Sequence, residues 1–303
     1  MVLPKRTFQS VVAPDGTRVA WHSHEPAVHN PLLPPIVLTN GIGTTENFWR
    51  HLLTELTRDH RVAHWDYRAH GSSQRSASGD YSLQTQAADL ARVTTDVMAR
   101  NHVPAPVQIA FSMGVAVLFE LYRTRPELVG AMVLIGGSPD APGTGTPFLR
   151  LPGMPWALRH AVAALTPIAP AFRPALRAAV RTRLLYGAGR ALGVLQPLAP
   201  RDEVEVFLAA LARMDLEAYL RTLQGLLQAH GSDVLPRVNV PVLILAAQKD
   251  LLMPLSQMRA MAAALPSATY VEVADAGHAG MLEAGEEMAR QIRAFLRPPG
   301  FQP

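Results

Sequence analysis

The stretch Val107-Gln-Ile-Ala-Phe-Ser-Met-Gly-Val-Ala-Val-Leu-Phe119 passes from an apolar strand, Val107–Phe111, through a single serine into an Ala/Val/Leu-rich segment that reads as a helix over Met113–Thr124. A serine at such a strand-to-helix junction, with a small residue two before it (Ala110) and two after it (Gly114), fits the turn usually written G-x-S-x-G. The sharp turn lifts the hydroxyl clear of the backbone, and the small neighbours allow the close packing this needs. Ala110 stands where glycine is usual, which loosens the pattern without breaking it. Taken alone, the segment also fits a serine that merely caps a helix.

Working outward, the same alternation recurs on both sides. Thr7–Val12 and Thr17–His24 read as a hairpin around the turn Pro14-Asp15-Gly16. Pro35-Ile-Val-Leu-Thr39 is a continuous apolar run of the kind buried on both faces of a parallel sheet. A helical pattern follows from Glu46 to Leu56, then a strand over Arg61–Asp66, a Gly/Ser-rich loop over Tyr67–Ser78 and a long helix from Ser82 to Asn101. Ala131–Ile135 is a further strand. After Pro241 the rhythm resumes with strands Val242–Ala246 and Tyr270–Val273 and helices Leu255–Leu265 and Glu283–Leu296. Strand and helix in alternation predict an α/β fold with a doubly wound, mostly parallel sheet.

Between Ala141 and about Val234 no strand signal appears. Helical stretches over Ala157–Leu165, Pro174–Tyr186, Glu203–Met214 and Leu216–His230 are separated by prolines. The expected organisation is therefore a core of residues 1–140 and 236–303 interrupted by a helical cap over 141–235. Residues 141–200 hold no Asp or Glu but carry Arg150, Arg159, Arg173, Arg177, Arg181, Arg183 and Arg190. Two readings of that stretch stand side by side: a surface for anionic or lipid-like substrates or a membrane face, or a solvated outer face with Leu, Ala and Pro covering the active site from the other side. The second is the simpler expectation.

Two more segments complete a chemistry with Ser112. Pro241–Asp250 is a buried strand that ends in a carboxylate, and Val271–His278 is a strand followed by a loop that ends in histidine. The order Ser112, Asp250, His278 suits a nucleophile, acid and base gathered beyond the carboxyl ends of parallel strands. Asp140, just past the Ala131–Ile135 strand, is the competing candidate for the acid.

With these residues in place, the chain resembles the α/β-hydrolase fold superfamily, in its branch of small capped serine hydrolases: esterases, lactonases and cofactor-free haloperoxidase-like enzymes. The resemblance runs through nearly the whole chain outside the cap. It includes Asp66-Tyr-Arg-Ala-His-Gly-Ser-Ser73, similar to the family's D-x-R-G-x-G-x-S loop with Ala69 and His70 as variations; in the family that loop is structural, so His70 is expected to support a turn. It also includes Leu38-Thr-Asn-Gly-Ile-Gly43, where Asn40-Gly41 stands for the family's His-Gly. The resemblance implies an oxyanion hole made by the backbone N–H groups of Ile42 and Met113. It further implies a carboxylic-ester or lactone hydrolase working through an acyl-enzyme on a small hydrophobic substrate, without a cofactor. A C–C hydrolase or perhydrolase on the same triad, and a non-catalytic ligand receptor, are the alternatives. Serine as nucleophile argues against branches that attack with a carboxylate.

Composition agrees with that reading. The 303 residues suffice for one large domain with an insertion. Net charge is +4, and only Lys5 and Lys249 are lysines. The scattered arginines lack the aromatic interleaving of a nucleic-acid surface. Cysteine is absent, which removes disulfides, thiolate nucleophiles and Cys-based metal sites. His22, His24 and His29 lie close in sequence, but no spaced Asp, Glu or Cys completes a ligand set, so no metal is expected. Asn40-Gly-Ile-Gly43 lacks the full dinucleotide fingerprint. The N-terminus has no secretion signal, and no apolar run is long enough to span a bilayer, so a cytoplasmic protein is expected.

Overall fold

The computed structural model describes residues 6–28, 30, 33–101, 105–142, 151–181, 184–191, 195–197 and 199–297. Its strands are β1 (Arg6–Val12), β2 (Arg18–His24), β3 (Ile36–Thr39), β4 (Val62–Trp65), β5 (Val107–Phe111), β6 (Ala131–Ile135), β7 (Val242–Ala247) and β8 (Ala268–Val273). They form one sheet in the order β1-β2-β4-β3-β5-β6-β7-β8. The N-terminal hairpin enters antiparallel, β1 on β2 and β2 on β4; every later pairing is parallel. The central strands are apolar along their length because helices cover both faces: every residue of β3, β4, β5 and β7 is buried. At the edges, β1 and β8 are largely open to solvent.

The helices are α1 (Arg50–Leu56), α2 (Leu83–Asn101), α3 (Met113–Thr124), α4 (Met154–Leu165), α5 (Arg173–Arg181), α6 (Leu184–Ala191), α7 (Arg201–Leu211), α8 (Leu216–Leu226), α9 (Leu255–Ala264), α10 (Gly280–Glu283) and α11 (Gly285–Leu296). Two apolar cores result. On one face, α2, α3 and α9 pack Leu90, Val93, Phe119 and Met258 against Val37, Ala110 and Ile244. On the other, α1 and α11 pack Leu52, Leu53, Met288 and Ile292 against Leu38, Ile109 and Leu243. This is the doubly wound arrangement expected from the alternation.

β5, β6 and α3 fall on their expected residues. The expected helix over 46–56 begins as a 3-10 turn, Glu46–Trp49, and only then becomes α1. The one expected over 283–296 is divided, because Ala284, at φ −139°, leaves helical geometry between α10 and α11. No strand is described between β6 and β7. The inserted segment leaves and rejoins the core at one neck: Ala141 N–H donates to the Ala229 carbonyl (2.9 Å), and the Asp140 carboxylate accepts from the amides of Gly231 (2.8 Å) and Ser232 (3.1 Å). Among the described residues, no helix is long and apolar enough to cross a membrane.

The Asp66–Ser73 loop is fixed by short-range chemistry. Arg68 is buried and forks onto Asp89 of α2 (2.6 and 3.0 Å) while also reaching Asp15 in the β1–β2 turn (2.6 Å). Asp66 accepts from the Ser72 amide (2.8 Å), and His70 Nδ1 lies 3.0 Å from the Arg68 carbonyl. Ala69 occupies the left-handed region, φ 60°, with its amide tied to the Gln74 carbonyl at 2.8 Å. An L-residue with a Cβ is disfavoured there by about 1–2 kcal/mol, which gives a physical reason for the family's glycine at this place. Ala69→Gly is therefore expected to raise stability by about 1 kcal/mol in denaturant titration, with unchanged m-value. Gly114 is the opposite case. A Cβ there would lie 2.6 Å from the Thr39 carbonyl oxygen and 2.7 Å from that of Asn40, so Gly114→Ala should cost about 1–3 kcal/mol. At Gly187 of α6, where a Cβ meets nothing within 4 Å, the same change should be neutral or stabilising.

Candidate active site

The residues singled out in the sequence converge at the carboxyl ends of the parallel strands. Ser112 follows β5 directly and is held at φ 53°, ψ −119°, with its amide donating to the Ile135 carbonyl of β6 (2.9 Å). This sparsely populated backbone conformation carries strain, and it turns the side chain out of the sheet edge. His278 Nε2 lies 3.0 Å from Ser112 Oγ, and His278 Nδ1 lies 2.8 Å from Asp250 Oδ2. Asp250 Oδ1 accepts from the amides of Leu252 (2.8 Å) and Met253 (2.9 Å), so the carboxylate is buried yet fully hydrogen-bonded. Because the carboxylate only accepts, His278 Nδ1 donates to it, which leaves Nε2 as the acceptor facing the serine hydroxyl.

Asp140 stands apart from this group. Both of its carboxylate oxygens bond the insertion's neck, including a contact with the Ser232 hydroxyl, and no bond joins it to His278.

The loop after β3 lies against Ser112: a Cβ on Gly41 would come 3.1 Å from the Ser112 Cβ. Among the described residues, neither the Ile42 nor the Met113 amide has a hydrogen-bond acceptor within the protein. Asn40 organises the loop from beneath. Its Oδ1 accepts from Trp49 Nε1 (2.7 Å) and from His64 Nε2 (3.2 Å), its Nδ2 donates to the Trp65 carbonyl (2.8 Å), and its own carbonyl accepts from the Tyr67 hydroxyl (2.6 Å). An amide presents acceptor and donor side by side, which the family's imidazole does not, and His64 fits the acceptor.

Sequence reasoning missed three contributors. Gly136, at φ 51° just past β6, leaves room for Asp250 and His278; a Cβ there would lie 3.3 Å from Asp250 Oδ2 and 3.8 Å from His278 Nδ1. The pair Gly136-Gly137 at a strand end was a readable signal. Glu283 accepts from the amide of Gly277, beside His278, at 2.6 Å and from that of Gln196 at 2.7 Å, and burial raises its carboxyl above the usual range. No local pattern marks it. Phe111 packs its ring 5.2 Å from that of His278 and continues through Phe48 (5.2 Å) to Phe207 of α7 (5.5 Å), giving the site an apolar wall.

With this geometry in hand, the comparison with known proteins is direct. The family model described as "Alpha/beta hydrolase family" matches residues 36–291, most of the chain. The chain belongs to the alpha/beta hydrolase family. Within it, the chain is 30% identical over 271 residues to RutD of Pseudomonas syringae pv. syringae (strain B728a), provisionally named a carbamate hydrolase; the match covers 87% of this chain and 93% of that protein. Among solved structures it is similar in fold to an esterase (EaEST) from Exiguobacterium antarcticum, with TM-score 0.77 and 19% identity, covering 96% of this chain and 99% of that one. The enol-lactonase from Burkholderia xenovorans LB400 superposes with TM-score 0.70 at 20% identity, covering 95% and 99%. This alpha/beta hydrolase is accordingly a hydrolase on the family's sheet.

Behind the loop after β3 lies a cavity of about 550 Å³ lined by Arg6, His22, Glu46, His64 and Asp66 among others. Of the sequence's histidine cluster, His22 stacks on His64 (centroids 6.3 Å apart) with its Nε2 3.9 Å from Asp66, and His24 Nε2 lies 3.4 Å from Glu46; His29 falls outside the described residues. Burial lowers His22 from an ordinary 6.5 to about 4, and burial also lowers His64 and His70. Burial raises Asp66 to about 6. The histidines take up protons more readily in the unfolded chain, so their contribution to stability is lost as pH falls from the ordinary 6.5 toward the depressed values. Asp66 opposes them, since between about 6 and its ordinary 3.8 the folded state is the one that holds the proton. Three groups outweigh one. Tm is expected to fall between pH 7 and 5, less in His22→Gln and more steeply in Asp66→Asn, as read by thermal melts across that range.

Proposed function

We propose that this chain is a serine hydrolase that cleaves a carboxylic ester or lactone bearing a hydrophobic group through an acyl-enzyme, with Ser112, His278 and Asp250 as nucleophile, base and acid. The observation that carries the reading is the continuous hydrogen-bond line from Asp250 through His278 to Ser112, at 2.8 and 3.0 Å. His278 Nε2 takes the hydroxyl proton as Ser112 Oγ attacks the carbonyl carbon. The Ile42 and Met113 amides receive the developing oxyanion, each such donor contributing about 3–4 kcal/mol in the transition state. The tetrahedral intermediate expels the alcohol, which His278 protonates. Water then attacks the acyl-enzyme with the same histidine as base, and the acid leaves. Asp250, desolvated and bonded by two amides, holds the imidazole in the tautomer this sequence of transfers needs.

We read the helices between β6 and β7 as a cap. α7 and α8 bring Leu211 and Tyr219 against Gly43, and Phe207 extends the apolar wall that begins at Phe111. That wall favours a hydrophobic acyl or alcohol group. The name of the Pseudomonas relative supports a second substrate class for the same chemistry: a carbamate presents a carbonyl of similar shape, and Ser112 attack on it would release an alcohol or an amine. The reaction proposed here needs no metal or organic cofactor.

Assay of the purified chain on aryl esters and aryl carbamates tests the reading. Turnover of at least one is expected, with Ser112→Ala lowering kcat by roughly four to six orders of magnitude; equal activity in wild type and Ser112→Ala would overturn the mechanism. Asp250→Asn should lower kcat by roughly 10⁴, whereas Asp140→Asn should leave it within tenfold and lower Tm instead. The reverse ranking would move the acid to Asp140.

A further inference from the structure

The sequence of the inserted segment is apolar enough to form core, yet the fold does not bury it. Among the described residues from 151 to 191, only Val162, Thr166 and Ala169 are buried. Seven of the twelve large apolar side chains exposed on the described chain lie between 151 and 184, among them Trp156 (59%), Leu165, Ile168, Phe172 (49%) and Leu184. Most of the described apolar side chains between 151 and 191 therefore stand at least partly in solvent. Scattered exposed apolar residues need no explanation, but a run of them on one segment marks an interaction surface.

The charge on the same segment is one-sided. Residues 141–200 carry no carboxylate. Arg159, Arg177 and Arg190 are exposed, and among the described residues none of the three has an acidic partner; Arg173 reaches Asp215 at 3.4 Å. Arg150 and Arg183 lie outside the described residues. The acids that follow begin at Asp202; Glu203 pairs with Arg50, and Asp215 with Arg75 as well as Arg173. In α5, Val180 packs toward the core while Arg177 is exposed. Trp156 on α4 lies against His160, ring centroids 4.0 Å apart and planes tilted by 33°, an amphipathic pair of the kind that sits where water meets lipid.

Exposed aromatic and aliphatic side chains interspersed with unpaired arginines, with no carboxylate among them, complement a surface that is both apolar and anionic. We propose that the outer face of α4, α5 and the 3-10 turn between them (Thr166–Phe172) docks on an anionic lipid bilayer. The protein lies on the surface with Trp156 and Phe172 inserted at headgroup depth and Arg159 and Arg177 against the phosphates. The proposal is independent of the reaction assigned to Ser112, since none of these residues touches the triad.

The full chain supplies its own probe. Of its four tryptophans, Trp21, Trp49 and Trp65 are at most 2% exposed, so a fluorescence change on mixing with vesicles reports Trp156. Vesicles of phosphatidylcholine with phosphatidylglycerol should cosediment the protein and shift its emission to the blue; phosphatidylcholine alone should do so weakly. Raising the salt should release it, as the anionic surface is screened. Each charge reversal, Arg159→Glu or Arg177→Glu, should weaken binding at least fivefold, and Trp156→Ser with Phe172→Ser should weaken cosedimentation by more than either. All three variants should hydrolyse a soluble aryl ester as the wild type does, which separates this result from any failure of the catalytic reading. Absence of cosedimentation with both vesicle types overturns the proposal, as does binding that survives all the substitutions. A dimer in sedimentation equilibrium, lost in the Trp156/Phe172 variant and paired with no vesicle binding, overturns it in favour of a second copy of the chain.

Discussion

Ser112 occupies a backbone conformation that an L-residue rarely adopts, and much of the molecule is arranged so that it can. Its amide is spent on β6, its carbonyl starts α3, and the next turn of that helix presses Gly114 against the carbonyls of Thr39 and Asn40. These contacts demand that β3, β5 and β6 be neighbours in one parallel layer, as they are. The strain is local, and the buried strands on either side over-determine it. Ala110 in the place of the usual glycine is tolerated because the tight approaches fall on Gly41 and Gly114.

The polar groups around Ser112 are positioned largely by main chain. Asp250 is held by the Leu252 and Met253 amides, and the turn carrying His278 by the Gly277 amide on Glu283. Orientation of this kind survives side-chain change nearby. The exception is Asn40, whose side chain joins Trp49, His64 and Trp65 into the support of the loop after β3. That support places a buried imidazole pair at the back of the loop, so the burial that lowers His22 and His64 adjoins the side of the loop opposite Ser112.

The legible parts of the chain were those governed by short-range pattern. β5, β6 and α3 fell on their expected residues because apolar runs bounded by Gly, Ser and Pro leave little freedom. Ser112, Asp250 and His278 were readable because each sits just past a strand, where chain order and sheet direction bring them to one edge. Glu283 was not readable, since its partners Gly277 and Gln196 are joined only by tertiary packing. Nor was the bond between Asn40 and His64, which depends on β3 and β4 being adjacent. Periodicity in the insertion gave helices near the right places, but it could not say which apolar faces would find a partner. Burial is decided by what packs on a helix, not by the helix itself.

The neck at Asp140 and Ala141 has a bearing on how such a molecule can change. One carboxylate and one backbone bond tie the start of the insertion to residues 229–232, so the ends of the excursion meet whatever lies between them. The entropy of closing a loop grows only slowly with its length, and strands β6 and β7 pair directly without help from the inserted helices. The excursion therefore begins and ends at a single joint beside two strands that pair with each other, while Val204, Leu208 and Leu226 bind its far end back into the two cores. A change in its length is absorbed between those anchors and the joint, so the residues held there set what the joint can tolerate.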